Sequence, residues 1–300
     1  MTDLSALAAP DIIETLDYEA ILSARKSTLV SLYPTAEQSD IETTLALESE
    51  PAVKQLEENA YREIVLRNRI NDAAKAVMIQ YANDNDLDHL AANFDVERLT
   101  ITAADETAVP PVDAVMESND DLRNRTPQSL AALSVAGPTA AYKYHALSAD
   151  GRVLDAGVTS PSPMHVLVSI VSQTGDGTAE VDLISIVDAA LNDEDVRPLC
   201  DIVTVQSAEI VNYQITAKLY VSKSTDKPLT IDAAIAAAQA YATAKHKTDK
   251  DITRSAIFAA LHQNGVVRVE LTSPASDLTI SKSQASYCTG ITITAETVDE

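Results

Sequence analysis

The sequence predicts an α+β protein, with a helical N-terminal module built on one long strut helix and mixed α/β domains after it. Three observations carry that prediction. Apolar residues recur at steps of three and four through residues 10–99, as an amphipathic helix requires. From Val153 onward the period changes to the apolar runs and alternations of strands. Strand and helix signals then alternate without a regular βαβ cadence, which favours α+β units over a doubly wound sheet. The expected division is 1–105, 112–200 and 201–300.

Residues Asp17 to Leu32 place Ile21, Leu22, Leu29 and Leu32 at helical intervals and stop at Tyr33-Pro34, because a proline disfavours helix at the residue before it. A second helix fills Ala36 to Glu48. The third is expected to be the longest. Pro51 suits a first helical turn, and Val53, Leu56, Ala60 and Ile64, then Ile70, Ala73, Val77 and Tyr81, follow at steps of three and four within each group. Unbroken from Glu50 to Ala82, it would span about 50 Å at 1.5 Å per residue. Part of its apolar surface is then covered either by the two preceding helices folding back or by other chains.

A short helix from Leu87 to Phe94 and a strand from Leu99 to Thr102 lead into Ala103 to Pro111, which reads as an acidic, proline-containing linker and a hinge between modules. Ser118 with Asp121 three residues on forms a capping box in its aspartate form. Thr126-Pro127 interrupts the helix so begun, and Pro138 to Ser148 is a further helix after the Gly137 stop. Strands are expected at Val166–Val171, Asp201–Val205, Ala208–Val221, Val266–Leu271 and Ile291–Ala295. Helices are expected at Ala179–Leu191, Ile231–Lys245 and Asp251–Gln263.

Composition limits the chemistry. The apolar share is 46%, but aromatics are only 4% and Trp is absent, so the cores are built from Ala, Val, Leu and Ile. A formal charge of −23, from 45 acidic and 22 basic side chains, opposes nucleic-acid and anionic-membrane partners, which need clustered Lys and Arg. Cys200 and Cys288 have no CxxC or Cys/His spacing around them, so neither a zinc site nor a redox pair is supported. The N-terminus lacks a basic n-region and no run of about 18 apolar residues occurs. The expected setting is a cytosol or a particle assembled there.

Candidate catalytic and metal patterns are thin. Asp84, Asp86, Asp88 and Asp95 fall on positions one, three, five and twelve of a calcium-loop template, but His89 stands where the template needs glycine. The five histidines show no HxxxH or HExxH spacing, and no GxSxG elbow accompanies the many Ser and Asp. Gly175-Asp176-Gly177 suits a tight turn rather than a phosphate cradle. No cofactor and no catalytic residue is expected. On the strut helix Tyr61, Arg62, Ile64, Leu66, Arg69, Val77 and Met78 are candidate partner contacts. Arg123 and Arg125 point to opposite sides of their turn, one to pair with acidic neighbours and the other to meet a partner chain.

Several local signals run in one order. They include Leu16-Asp17-Tyr18-Glu19-Ala20, Leu45 to Pro51, Gln55 to Glu63 and Asp88 to Phe94; then Glu117, Asp120, Leu122, Arg123 and Arg125; then Gly137, Tyr142 and the stretch from Pro163 to Gly177. Each is weak alone, but their collinear order resembles the baseplate J family of contractile phage tails and R-type pyocins. The resemblance implies a structural wedge subunit, a virion component that links wedges into the ring around the central hub and takes part in the switch that triggers contraction. It implies two copies paired in each wedge, with N-terminal helices bundling against another wedge subunit. The implied partners are a second copy, tail protein I-like and lysozyme-like sheath-initiator subunits, and central hub and spike proteins. Asn119, Asp95 and Pro127 depart from the family pattern. The rival reading is a cytosolic enzyme with an unrecognised α+β fold, which would show a concave site with convergent perturbed titratable groups.

Overall fold

The structure is a computed structural model that describes residues 10–134, 136–223 and 226–298. The chain divides into two compact units between Asp95 and Val96. The fold is α+β, as the change of period predicts.

The first unit is helical. Asp17 caps α1 (Tyr18–Ser31) by accepting from the N–H groups of Glu19 and Ala20. After α2 (Gln38–Leu45), α3 (Pro51–Ala76) begins with its proline in the first turn, where a missing N–H costs nothing. Val30, Leu45 and Val53 form the small core that joins the three helices. Polar contacts fix α3 against the chain before it. Arg25 meets Glu63 at 2.5 Å, and buried Asn71 exchanges hydrogen bonds with the backbone of Glu14 at 2.9 and 3.1 Å.

The strut is shorter than its periodicity suggests. It ends at Ala76, so its 26 residues span about 39 Å at 1.5 Å per residue rather than the expected 50 Å. Val77 and Ile79 are β-branched and gain little from helix. The chain turns there through Met78 N–H to Lys75 O and Tyr81 N–H to Met78 O, and buries Ala82. The next helix, α4 (Asp84–Ala92), buries Leu87 and Ala91. Asp95, which departs from the family glycine, takes the left-handed φ of 57° that glycine adopts without strain and that aspartate tolerates better than most side chains.

The second unit opens with β1 (Thr100–Thr102) paired antiparallel to β2 (Val115–Met116). The expected linker lies between them and is no linker. An Asp105–Val112 bridge closes it, so residues 103–114 form the turn of a hairpin. Ser118 then caps α5 (Asn119–Arg125) by accepting from Asp121 N–H. A single 3-10 turn at Thr126–Gln128 accommodates Pro127 before α6 (Ser129–Ala132) and α7 (Thr139–Ala149).

Two three-stranded sheets complete the unit. In the first, β3 (Val153–Ser162) pairs antiparallel to β4 (His165–Ser172), α8 (Val181–Leu191) crosses over, and β5 (Ile202–Ser207) returns parallel to β4. β3 carries little strand signal in its sequence, which includes Asp155, Gly157 and Pro161. It is an edge strand, where proline is tolerated. Its core gathers Tyr142, Ala146, Val168, Ile170, Leu183, Val187 and Leu191.

In the second sheet, β6 (Glu209–Ser222) is central. Its alternation buries Tyr213, Ile215, Ala217, Leu219 and Val221. α9 (Lys227–Lys245) and α10 (Arg254–Leu261) add Ala234, Ala238, Ile257 and Leu261 to the same core. β7 (Val266–Ser273) flanks β6 antiparallel and β8 (Gln284–Val298) flanks it parallel. β8 begins well before the expected Ile291, because its polar start, Gln284 to Gly290, is held by the ladder to β6.

Candidate subunit-contact site

Of the side chains on α3 singled out in the sequence, several are well exposed. Tyr61 is 64% exposed, Leu66 65% and Ile70 62%, and Val77, just past the helix end, is 70% exposed. Leu66, Ile70, Ala73 and Val77 follow at steps of four, three and four and so share one side of the helix. The buried side is different: it carries Val53, Ala60 and Asn71. Ile64 and Met78 are only half covered. Arg69 is exposed beside this row, and Arg62 is held by Glu58 one turn back at 2.5 Å. The first unit thus presents an apolar row with charged borders that its own helices do not cover.

The two arginines of α5 behave differently from that row. Arg125 is buried within the chain and is no partner contact. Its guanidinium donates from Nε to Glu117 Oε1 at 2.9 Å and from Nη2 to Glu117 Oε2 at 2.6 Å, and Nη2 also donates to the carbonyl of Glu97 at 2.5 Å. Glu117 Oε2 in turn accepts from Leu99 N–H at 3.1 Å. The pair leaves each side chain 5% exposed and ties residues 97–99 to α5. Arg123 is bound by Asp120 at 2.5 Å and is largely covered, so the reading that only one of the two pairs with acids is corrected: both do.

Between the two sheets of the second unit lies a close seam. Asp155 on β3 accepts from Thr248 N–H at 2.9 Å and Thr248 O–H at 2.7 Å, and its other oxygen meets Lys143 at 2.7 Å. Gly157 has Lys282 O so near that an added Cβ would stand 1.8 Å from it. His246 bonds Ser286 O through Nδ1 at 2.6 Å and packs over Gly177, whose φ of 95° forms the predicted Gly175–Gly177 turn. Two clefts open along this seam. One, about 220 Å³, is bordered by Asp121, Asn124, Gln128 and Lys247; the other, about 290 Å³, by Thr139, Lys143, Lys250 and Lys282.

Perturbed titratable groups are dispersed. Burial, then the Asp201 carboxylate that accepts its hydroxyl at 2.7 Å, raises Tyr142 well above the ordinary phenol range. Burial lowers His145. Burial alone would raise Asp150, but hydrogen bonds from Arg152 outweigh it and hold the carboxyl low. None of these groups lines either cleft. Among the described residues, no three of His, Cys, Asp and Glu gather closely enough to hold a metal ion, and no helix is long and apolar enough to cross a membrane.

Sequence comparison supplies the family. Three family models match in order: Baseplate J-like N-terminal domain at 48–105, Baseplate J-like central domain at 134–207, and Baseplate J-like protein C-terminal domain at 213–294. Baseplate protein J of Escherichia phage P2 is 52% identical over 298 residues, which is 99% of this chain and 99% of that protein. The chain belongs to the baseplate J family. A structural role in a phage baseplate follows from that membership, and the chain is a component of the tail. The central baseplate J match takes in α7 through β5 and the C-terminal match covers most of the second sheet. The buried Glu117–Arg125 pair lies between the N-terminal and central matches.

Sequence reasoning gives the period of α3, which takes in Ile70, Ala73 and Val77 of this row but not Leu66. It missed the seam, because Asp155, Thr248 and Lys282 have no local spacing that relates them. The one available signal for the buried pair was Glu117 and Arg125 in the same short motif.

Proposed function

We propose that this chain is a wedge subunit of a contractile-tail baseplate, and that the outward row of α3 is where it meets other wedge chains. The observation that carries the reading is the exposure of Leu66, Ile70 and Val77 on one side of a helix that is already packed on another, with Tyr61 exposed on a separate flank. Scattered exposed apolar residues are ordinary; several in register along one helix side are the pattern of a helix-in-bundle contact. Arg62 and Arg69 border the row and set orientation through their charge, while Ile64 and Met78, half covered on the packed side, and Arg123 on α5 are lesser contacts.

In this proposal residues 1–105 bundle with helices of the tail protein I-like and sheath-initiator subunits. Residues 112–200 and 201–300 pair with a second copy and link wedges into the ring around the hub and spike. Because such contacts are extensive yet polar at their rims, they hold one state and release on triggering, which is the part the chain takes in contraction. Cryo-electron microscopy of the assembled particle tests the proposal. Two copies in each wedge, with α3 seated against helices of other chains, is the expected result. Particles in which the α3 row faces solvent, or whose baseplate ring lacks the chain, would overturn it.

A further inference from the structure

We infer that the lysine-lined cleft at the seam is the receptor for an acidic loop of a second copy of this chain, so that two copies engage reciprocally. The inference rests on the self-pairing proposed above and names its contact.

The cleft of about 290 Å³ lies among α7, β3 and the loops that precede α10 and β8, and Lys143, Lys250 and Lys282 border it together with Thr139, Thr248 and Asp249. In a chain of net charge −23 with 22 basic side chains, three lysines on one cleft are a local reversal of sign. Only Lys143 is neutralised, by Asp155. Lys250 and Lys282 are exposed and carry no ion pair among the described residues. Three lysines border the cleft against two carboxylates, Asp155 and Asp249, so it keeps a net positive charge that a carboxylate-bearing segment offsets.

The chain carries such a segment. The loop after α8 presents Asp193, Glu194 and Asp195, all exposed, and then Leu199, which is 99% exposed. Among the described residues of one chain none of the three acids is ion-paired to a lysine. The loop and the cleft are hung on the same short stretch. Asp201 at the loop's end accepts from Tyr142 on α7 and lies beside Gly137, while Thr139, Ala140 and Lys143 of the same helix border the cleft. Complementary patches that lie side by side on one molecule are satisfied together by a two-fold axis, each loop entering the other copy's cleft. Leu199 then supplies the apolar anchor that a purely ionic contact lacks.

Charge-swap complementation with the full chain tests this, read by analytical ultracentrifugation. The wild-type chain is expected to self-associate, more weakly at high salt because the contact is partly exposed. The K250E/K282E variant alone, and a D193K/E194K/D195K variant alone, should each self-associate at least tenfold more weakly. Mixed, they should recover a one-to-one complex, because both contacts then regain opposite charges. Circular dichroism of each variant establishes that it folds.

If both variants associate as the wild type does, the chain pairs through another surface and the cleft assignment fails while self-pairing stands. If the wild-type chain stays monomeric at all concentrations and salts, self-pairing itself fails. Loss of association in both variants without recovery on mixing overturns the loop as occupant. Saturable binding of inorganic phosphate that K250E/K282E abolishes, again without recovery on mixing, overturns it in favour of a small anion.

Discussion

Asp155 and Thr248 lie 93 residues apart and meet through one carboxylate oxygen, which accepts both the backbone N–H and the hydroxyl of Thr248. The contact joins β3 of the first sheet to the loop after α9 in the second, and it is buried: Asp155 is 4% exposed. Replacing Asp155 with Ala leaves the Thr248 N–H without its acceptor and Lys143 without its counter-ion. Asp155→Ala should therefore cost about 3 kcal/mol of unfolding free energy, the range for breaking one side of a buried, charge-assisted contact. Asp155→Asn keeps one accepting oxygen and should cost less. Equal losses in urea unfolding would show that the two oxygens do not do what the geometry says.

Gly157 makes an independent test of the same seam. The nearest neighbour of an added Cβ is a backbone carbonyl, Lys282 O, which cannot swing aside as a flexible side chain would. Gly157→Ala is expected to lower stability by about 2 kcal/mol, as overpacking typically does. An unchanged thermal midpoint would mean the sheets do not approach so closely.

The buried pair on α5 predicts an asymmetry. Arg125→Met removes the guanidinium and leaves the Glu117 carboxylate buried without its partner, at a cost of about 3 to 5 kcal/mol. Adding Glu117→Gln should recover part of that loss, since the uncompensated charge is gone. A double variant that is less stable than Arg125→Met alone would contradict this.

Burial of His145 gives a pH dependence of definite sign. Its folded pKa is lowered from 6.5 by desolvation, so the native chain resists the proton that the unfolded chain accepts. Above pH 6.5 both states are neutral at this residue and it contributes no slope. As pH falls below 6.5 the unfolded state gains protons first and stability declines, levelling once pH is below the folded pKa. Asp150, whose carboxyl is held below 3.8, adds a further loss in the same direction only at much lower pH. His145→Gln should flatten the decline that starts below pH 6.5, as followed by denaturant unfolding across pH; an unaltered slope would place the effect elsewhere.

What was legible in the sequence was what local periodicity encodes. The alternation from Glu209 to Ser222 gave β6 nearly to the residue, and Ser118 marked a helix start because a cap is a local interaction. β3 and the first half of β8 were hidden, since their Gly, Pro and Ser residues are held by partners distant in sequence rather than by propensity. The hairpin around residues 103–114 read as a linker for the same reason. On the candidate site, the helical period of α3 was visible, but which of its residues face outward was not, since the same series holds buried Val53 and Ala60 and exposed Ile70 and Val77. The burial of Arg125 was not, because an arginine reads as surface until its acid, Glu117, is placed in space.

The claim that matters most is that the outward row of α3 is a contact with other baseplate chains. Leu66 is 65% exposed in the chain by itself, so Leu66→Asp should leave folding unchanged, within about 0.5 kcal/mol as for other surface substitutions. Infectious or contractile particles formed with Leu66→Asp as the only source of the chain are the measurement. Loss of assembled baseplates with the soluble variant still folded is the predicted result. Particle yield equal to that of the wild type would contradict the account.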